Sequence, residues 1–134
     1  MIVSELAHQA GIPAHVVRYY ARIGLLKPSR DPENGYKLFK RDDIHRIRFI
    51  RQAKELGFKL NEIDKLLRQV YLGKSVCRDV RKILKDRIAQ NKLEMRRLAH
   101  QTAQMDRALE HWGHIPDGEP NGEVFCPLIQ SGCN

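Results

Sequence analysis

From Ser75 to Trp112 the chain contains neither glycine nor proline. A stretch of that length without a breaker reads as one helix of about 35 residues, about 53 Å long at ~1.5 Å per residue. Ser75 is the expected N-cap. Val80, Leu84, Ile88, Asn91, Met95, Leu98, Thr102, Met105, Leu109 and Trp112 form a stripe along it. From Leu84 onward the steps alternate between four and three residues, the repeat of a coiled-coil seam. The polar members Asn91 and Thr102 suit selection of register. The residues that precede this helix are too few to cover such a stripe, so it needs a partner helix and a homodimer is expected. A single helix folded back on its own domain is the competing arrangement.

What flanks the helix differs in charge. The chain has 134 residues and a formal net charge of +8. Residues 1–74 carry 15 Lys/Arg against 8 Asp/Glu, whereas residues 75–134 carry 9 against 8, and from Ala108 onward there are 4 acids and no Lys or Arg. A basic surface confined to one half is the electrostatic footprint of nucleic-acid binding, although a solvated basic face would look the same. No apolar run reaches the ~18 residues of a bilayer span, and the start MIVSELAHQAG turns polar too early for a secretory signal. The chain is therefore expected to be soluble and cytoplasmic, with no membrane partner. Three cysteines do not make a disulfide framework, which leaves thiols for metal or redox chemistry or for simple burial.

The basic half divides into short helical units. VSELAHQAG places Val3, Leu6, Ala7 and Ala10 on one face and stops at Gly11, and AHVVRYYARIGLL does the same with Val16, Val17, Tyr20 and Ile23 before Gly24. Two short helices joined by a tight turn make a helix-turn-helix, whose second helix would enter the major groove. There Ala14, His15, Arg18 and Tyr19 would meet DNA. A loop ending in Asn34-Gly35 leads to the alternating run Tyr36-Lys37-Leu38-Phe39, which reads as a β-wing. Two further helices follow, from about Arg41 to Leu56 and from about Asn61 to Tyr71.

VVRYYARIGLLKPSR, NGYKLF and the segment running through KELGF resemble, in sequence and in mutual spacing, the signature of the MerR family of transcriptional regulators. The resemblance implies a winged-helix dimer in which Arg18 and Tyr19 on the recognition helix, and Tyr36 and Lys37 on the wing, contact DNA. Lys27 and Arg30 are further candidate phosphate contacts. It also implies that the long helices pair antiparallel and that the dimer sits on a promoter with RNA polymerase. Where the family usually has Ser or Thr at helix N-caps, this chain has Pro13, Lys40 and Lys59. A lost cap costs about 0.5–2 kcal/mol.

Cys77 lies in the first turn of the long helix, while Cys126 and Cys133 lie beyond its far end. The helix holds them about 50 Å apart along one chain. An antiparallel dimer brings the start of one helix beside the end of the other, so Cys77 of one chain can meet Cys126 of its partner. The resemblance supports this, because metal-sensing members carry cysteines at these two places and EVFCPLI is similar to their ligand-bearing run. Members with cysteine at the Cys77 position resemble divalent-metal sensors. A further cysteine expected near the start of the loop is missing, and His111 and His114 are the nearest substitutes. Imidazole suits zinc and its neighbours. Cys133 is a third thiol candidate, as a ligand of the same ion, a ligand of a second ion, or a tail residue.

The expectation is a mainly α protein: a winged helix-turn-helix DNA-binding domain with two further helices over residues 1–74, a coiled-coil dimerisation helix over 75–112, and a metal-binding loop and tail over 113–134. Its function is that of a metal-responsive activator that distorts promoter DNA when zinc, or else cadmium, lead or mercury, is bound. A regulator sensing electrophiles or redox state through its thiols is the alternative. No open catalytic position with a general base is visible, so it is not expected to be an enzyme.

Overall fold

A computed structural model describes residues 1–131. Cys133 lies outside the described residues. The elements in order are helices α1 (Val3–Ala10) and α2 (Ala14–Arg22), strands β1 (Ser29–Arg30) and β2 (Lys37–Leu38), and helices α3 (Asp42–Glu55), α4 (Leu60–Tyr71), α5 (Cys77–Trp112) and α6 (Pro127–Gln130). They form two compact units, Met1–Ile83 and Leu84–Asn134. Among the described residues no helix is long and apolar enough to cross a membrane.

All four short helices contribute to the core of the first unit, although Ile23, placed on the apolar face of α2 by its spacing, is 40% exposed. Leu6 of α1, Val17 of α2, Ile47 and Ile50 of α3, and Ile63 and Leu66 of α4 are 0–2% exposed, joined by Leu25 and Leu26 from the α2–β1 connection and by Phe39 after the wing. Burying that much branched apolar surface is what holds four short helices together, since each is too short to persist alone in water.

The wing is a two-stranded antiparallel ribbon with Ser29 opposite Leu38 and Arg30 opposite Lys37. Side chains set its turn: Asp31 Oδ1 accepts the Glu33 N–H (2.9 Å) and Asn34 Oδ1 accepts the Tyr36 N–H (2.9 Å). Gly35 between them has φ of +71°, a left-handed conformation that a side chain would strain.

Two of the missing caps are compensated by the residue three positions on. The Lys40 N–H donates to Asp43 Oδ2 (2.9 Å), and the Lys59 N–H donates to Glu62 Oε1 (2.8 Å). Glu62 is the acidic half of a capping box at Lys59, the residue before α4, and Asp43 makes the same three-residue reach to Lys40, two residues before α3, with no hydroxyl needed at either place. Asp43 is 4% exposed and also takes a salt bridge from Arg46 Nη1 at 2.8 Å, so its buried charge is fully partnered. Arg46 lies over the Tyr71 ring at 4.7 Å, with Lys27 over the same ring at 5.3 Å. The Tyr71 hydroxyl donates to the Leu25 carbonyl (3.1 Å). This polar cluster ties the end of α4 to the root of the wing.

The long helix starts at Cys77, one residue later than an N-cap at Ser75 implies. Its first backbone bond runs from the Val80 N–H to the Val76 carbonyl (2.9 Å), so Val76 occupies the place expected for Ser75. The helix has 36 residues and none of them is buried. Along the stripe, Ile88, Met95, Leu98, Met105 and Leu109 are 46–68% exposed.

Candidate nucleic-acid interface and metal-ligand loop

A groove of about 560 Å³ runs between the start of α1, the outer face of α2 and the wing. Arg18, Arg22, Arg30 and Lys37 line it together with Tyr36 and Gly35, and no carboxylate does. Arg30 is oriented by a bond from Nη1 to the Gly35 carbonyl (3.2 Å), which points a cation along the turn of the wing. Neither Arg18 nor Lys37 meets a carboxylate among the described residues. Four cations at one concave surface without counter-charge form a site for a polyanion.

Four of the residues singled out in the sequence (Arg18, Arg30, Tyr36 and Lys37) meet at this groove. The others stand elsewhere. Ala14 is half-buried at the first residue of α2 and His15 is exposed beside it. Tyr19 is 37% exposed, has Arg22 stacked over its ring at 5.3 Å, and borders a separate groove with Ile23, Leu60 and Asp64. Lys27 lines a small basic pocket with Lys40, Asp43, Arg46 and Tyr71. Arg22 is the residue that sequence reasoning missed. Its spacing of four from Arg18 was the available signal, since that step keeps two side chains on one helix face.

In the second unit the chain leaves α5 at Trp112 and returns as a loop to α6. Cys77, belonging to the first unit, is an exposed free thiol, and Cys126 is a half-buried one. His111 and His114 are exposed one turn apart, and the His114 N–H donates to the His111 carbonyl (3.4 Å). Among the described residues no three His, Cys, Asp or Glu side chains are grouped closely enough to hold a metal ion. The loop is nonetheless built tightly around Cys126. A Cβ at Gly118 would lie 2.5 Å from Pro127 Cγ, so only glycine lets the strand of loop pass the start of α6. The Trp112 Nε1 atom is buried and has no acceptor among the described residues.

Comparison with known proteins places these features in a family. A model described as MerR HTH family regulatory protein matches residues 1–70, and one described as MerR, DNA binding matches residues 44–108. The chain is 40% identical over 94 residues to the mercuric resistance operon regulatory protein of Bacillus cereus, covering 69% of this chain and 71% of that one. It is 34% identical over 131 residues to the HTH-type transcriptional regulator HmrR of Rhizobium leguminosarum bv. viciae, covering 97% and 95%. Among solved structures it is similar to the transcription regulator PbrR691 from Ralstonia metallidurans CH34 in complex with lead(II), with a TM-score of 0.71, 26% identity and 98% of both chains covered. The chain belongs to the MerR family of transcriptional regulators, which are not enzymes, and is related to its metal-responsive members.

Proposed function

We propose that the chain is a cytoplasmic, homodimeric regulator that binds double-stranded promoter DNA and activates transcription by RNA polymerase in response to a divalent metal ion, zinc first. The observation that carries this reading is the placement of thiols about α5. Cys77 is its first residue, Cys126 follows its far end, and the 36 residues between Cys77 and Trp112 bury none of their side chains within the chain. An exposed apolar seam of that length is satisfied by a second copy. Antiparallel pairing then sets Cys77 of one protomer beside the loop of the other.

The donor set fits a soft or borderline divalent ion: thiols at Cys77 and Cys126, with His114, His111 and Cys133 as candidates to complete the site. Relatives of this chain are named for mercury resistance and for a lead(II) complex, which supports a heavy-metal effector. A bound divalent cation supplies the attraction that keeps thiolates of two chains together. Cys77 immediately follows the α4–α5 connection, so anchoring it to the partner's loop biases the stance of its own winged unit. Arg18, Arg22, Arg30 and Lys37 hold DNA in both states, and the change of stance alters how the promoter is bent and untwisted.

The test is a titration of the apo dimer with zinc, cadmium, lead, mercury and copper(I), in wild type and in Cys77→Ser, Cys126→Ser, His114→Ala and Cys133→Ser. Cys77→Ser and Cys126→Ser are each expected to abolish tight divalent binding. Unchanged affinity in Cys77→Ser refutes the cross-subunit site. A covalent thiol adduct without metal, seen by native mass spectrometry of the inducing state, replaces this reading with the thiol-sensing one.

A further inference from the structure

The tail that carries Cys126 has little apolar burial to order it. Phe125 and Ile129 are 74% and 72% exposed. Two carboxamides hold its backbone instead. Asn121 Oδ1 accepts the N–H groups of Glu123 (3.1 Å) and Val124 (2.9 Å). Gln130 Oε1 accepts those of Phe125 (2.5 Å) and Cys126 (3.0 Å). Four consecutive backbone donors therefore end on two side-chain oxygens. Gln130 also works in the other direction, with Nε2 donating to the Glu123 carbonyl (3.2 Å). Its own backbone N–H donates to the Cys126 carbonyl (3.1 Å), so residue 130 grips the Cys126 peptide group on either side of the thiol-bearing Cα.

We infer that Gln130 is a positioning residue for the Cys126 thiol, stapling the loop from Glu123 to Cys126 in its ligating shape before any ion arrives. This rests on the proposed role of Cys126 as a ligand. The physical reason is preorganisation: a loop whose backbone is already fixed loses little conformational freedom on binding, whereas a free loop loses it at that moment and binds more weakly. Gln130 is the side chain that holds the Phe125 and Cys126 N–H groups, while the Asn121 N–H bond to the Val124 carbonyl and the approach of Gly118 to Pro127 shape the loop on either side. The carboxamide of Asn121 is committed to Glu123 and Val124, and the side chains of Phe125 and Ile129 face solvent.

The test compares the full-length dimer with Gln130→Ala and Gln130→Glu, using zinc competition against a chromophoric chelator and amide hydrogen exchange. Gln130→Ala is expected to speed exchange at residues 123–126 and to weaken zinc binding by about 10–100-fold, the usual cost of losing a group that orients a ligand, with the melting temperature of the apo protein unchanged. Gln130→Glu keeps an acceptor for both N–H groups but loses the donor to the Glu123 carbonyl, so it is expected to restore slow exchange at residues 125 and 126 and only part of the affinity. Faster exchange with zinc affinity within about twofold of wild type overturns the inference while leaving the metal reading intact. Wild-type protein that binds none of zinc, cadmium, lead or mercury overturns the metal reading, and this inference with it.

Discussion

Replacing Arg18 with alanine separates DNA contact from folding. The side chain is exposed on α2, lines the basic groove and meets no carboxylate among the described residues. Its loss is expected to change folding stability by no more than about 0.5 kcal/mol, the range for a surface position free of special features. DNA binding responds differently. The groove holds four cations per protomer, so a dimer engaging phosphates with all of them has a slope of log K against log salt of about −7. Arg18→Ala removes two of these contacts per dimer and flattens the slope by about 1.8. Each lost charge-assisted bond is worth about 1.5–3 kcal/mol, so affinity falls by about a hundredfold or more. Fluorescence anisotropy across a salt series, on a duplex that the wild-type protein enriches from a random pool, measures both quantities. A slope that stays put while discrimination against mixed-sequence DNA collapses reassigns Arg18 from phosphate to base contact. Unchanged slope and unchanged affinity refute the groove as the DNA-binding surface.

Other perturbations address the cluster at Tyr71 and the loop. Tyr71→Phe removes the hydroxyl that bonds the Leu25 carbonyl and is expected to cost about 0.5–1.5 kcal/mol in a urea unfolding curve; no loss contradicts a structural role for that bond. Burial raises the pKa of both Tyr20 and Tyr71 above the ordinary tyrosine value of 10.0. The folded state then keeps phenolic protons that the unfolded chain releases, so this stability is complete below the ordinary value and is lost as pH rises through the raised one. Urea midpoints measured from about pH 8 upward are expected to fall into the alkaline range, less steeply in Tyr71→Phe. Gly118→Ala forces a methyl against Pro127; overpacking of that kind costs about 1–3 kcal/mol. Zinc affinity should drop by about tenfold or more while the melting of the winged unit holds, and an unperturbed affinity would show that the loop yields freely.

Much of this architecture was legible in the residues because its signals are local. The apolar spacing of Leu6, Ala7, Val17 and Tyr20 identified core positions in the first two helices, and all four are buried, whereas Ile23 on the same stripe is 40% exposed. The absence of breakers marked α5 almost to its ends. Its start was misplaced because Ser75 is a good cap by type, whereas the backbone bond to Val76 decides the matter. The vacant caps at Lys40 and Lys59 read as losses because only the cap hydroxyl was weighed; Asp43 and Glu62, three residues on, accept the backbone N–H groups at these places. Arg22 was overlooked because the recognition-helix residues taken to meet DNA stopped at Tyr19, although helix geometry puts positions four apart on the same face. The metal-ligand set is the least legible part for a different reason. Its proposed members come from two chains, and no spacing within one sequence records a juxtaposition created by symmetry.

That proposed juxtaposition can be measured directly. In a mixed dimer of one Cys77→Ser chain and one Cys126→Ser chain, cross-subunit pairing leaves one site with both thiols intact and the other with neither. Zinc stoichiometry of the purified mixed dimer is therefore expected to be half that of wild type, at close to wild-type affinity, while each homodimeric variant binds no tight zinc. If the mixed dimer also binds no tight zinc, both thiols of a site come from the same chain and the composite pocket is wrong.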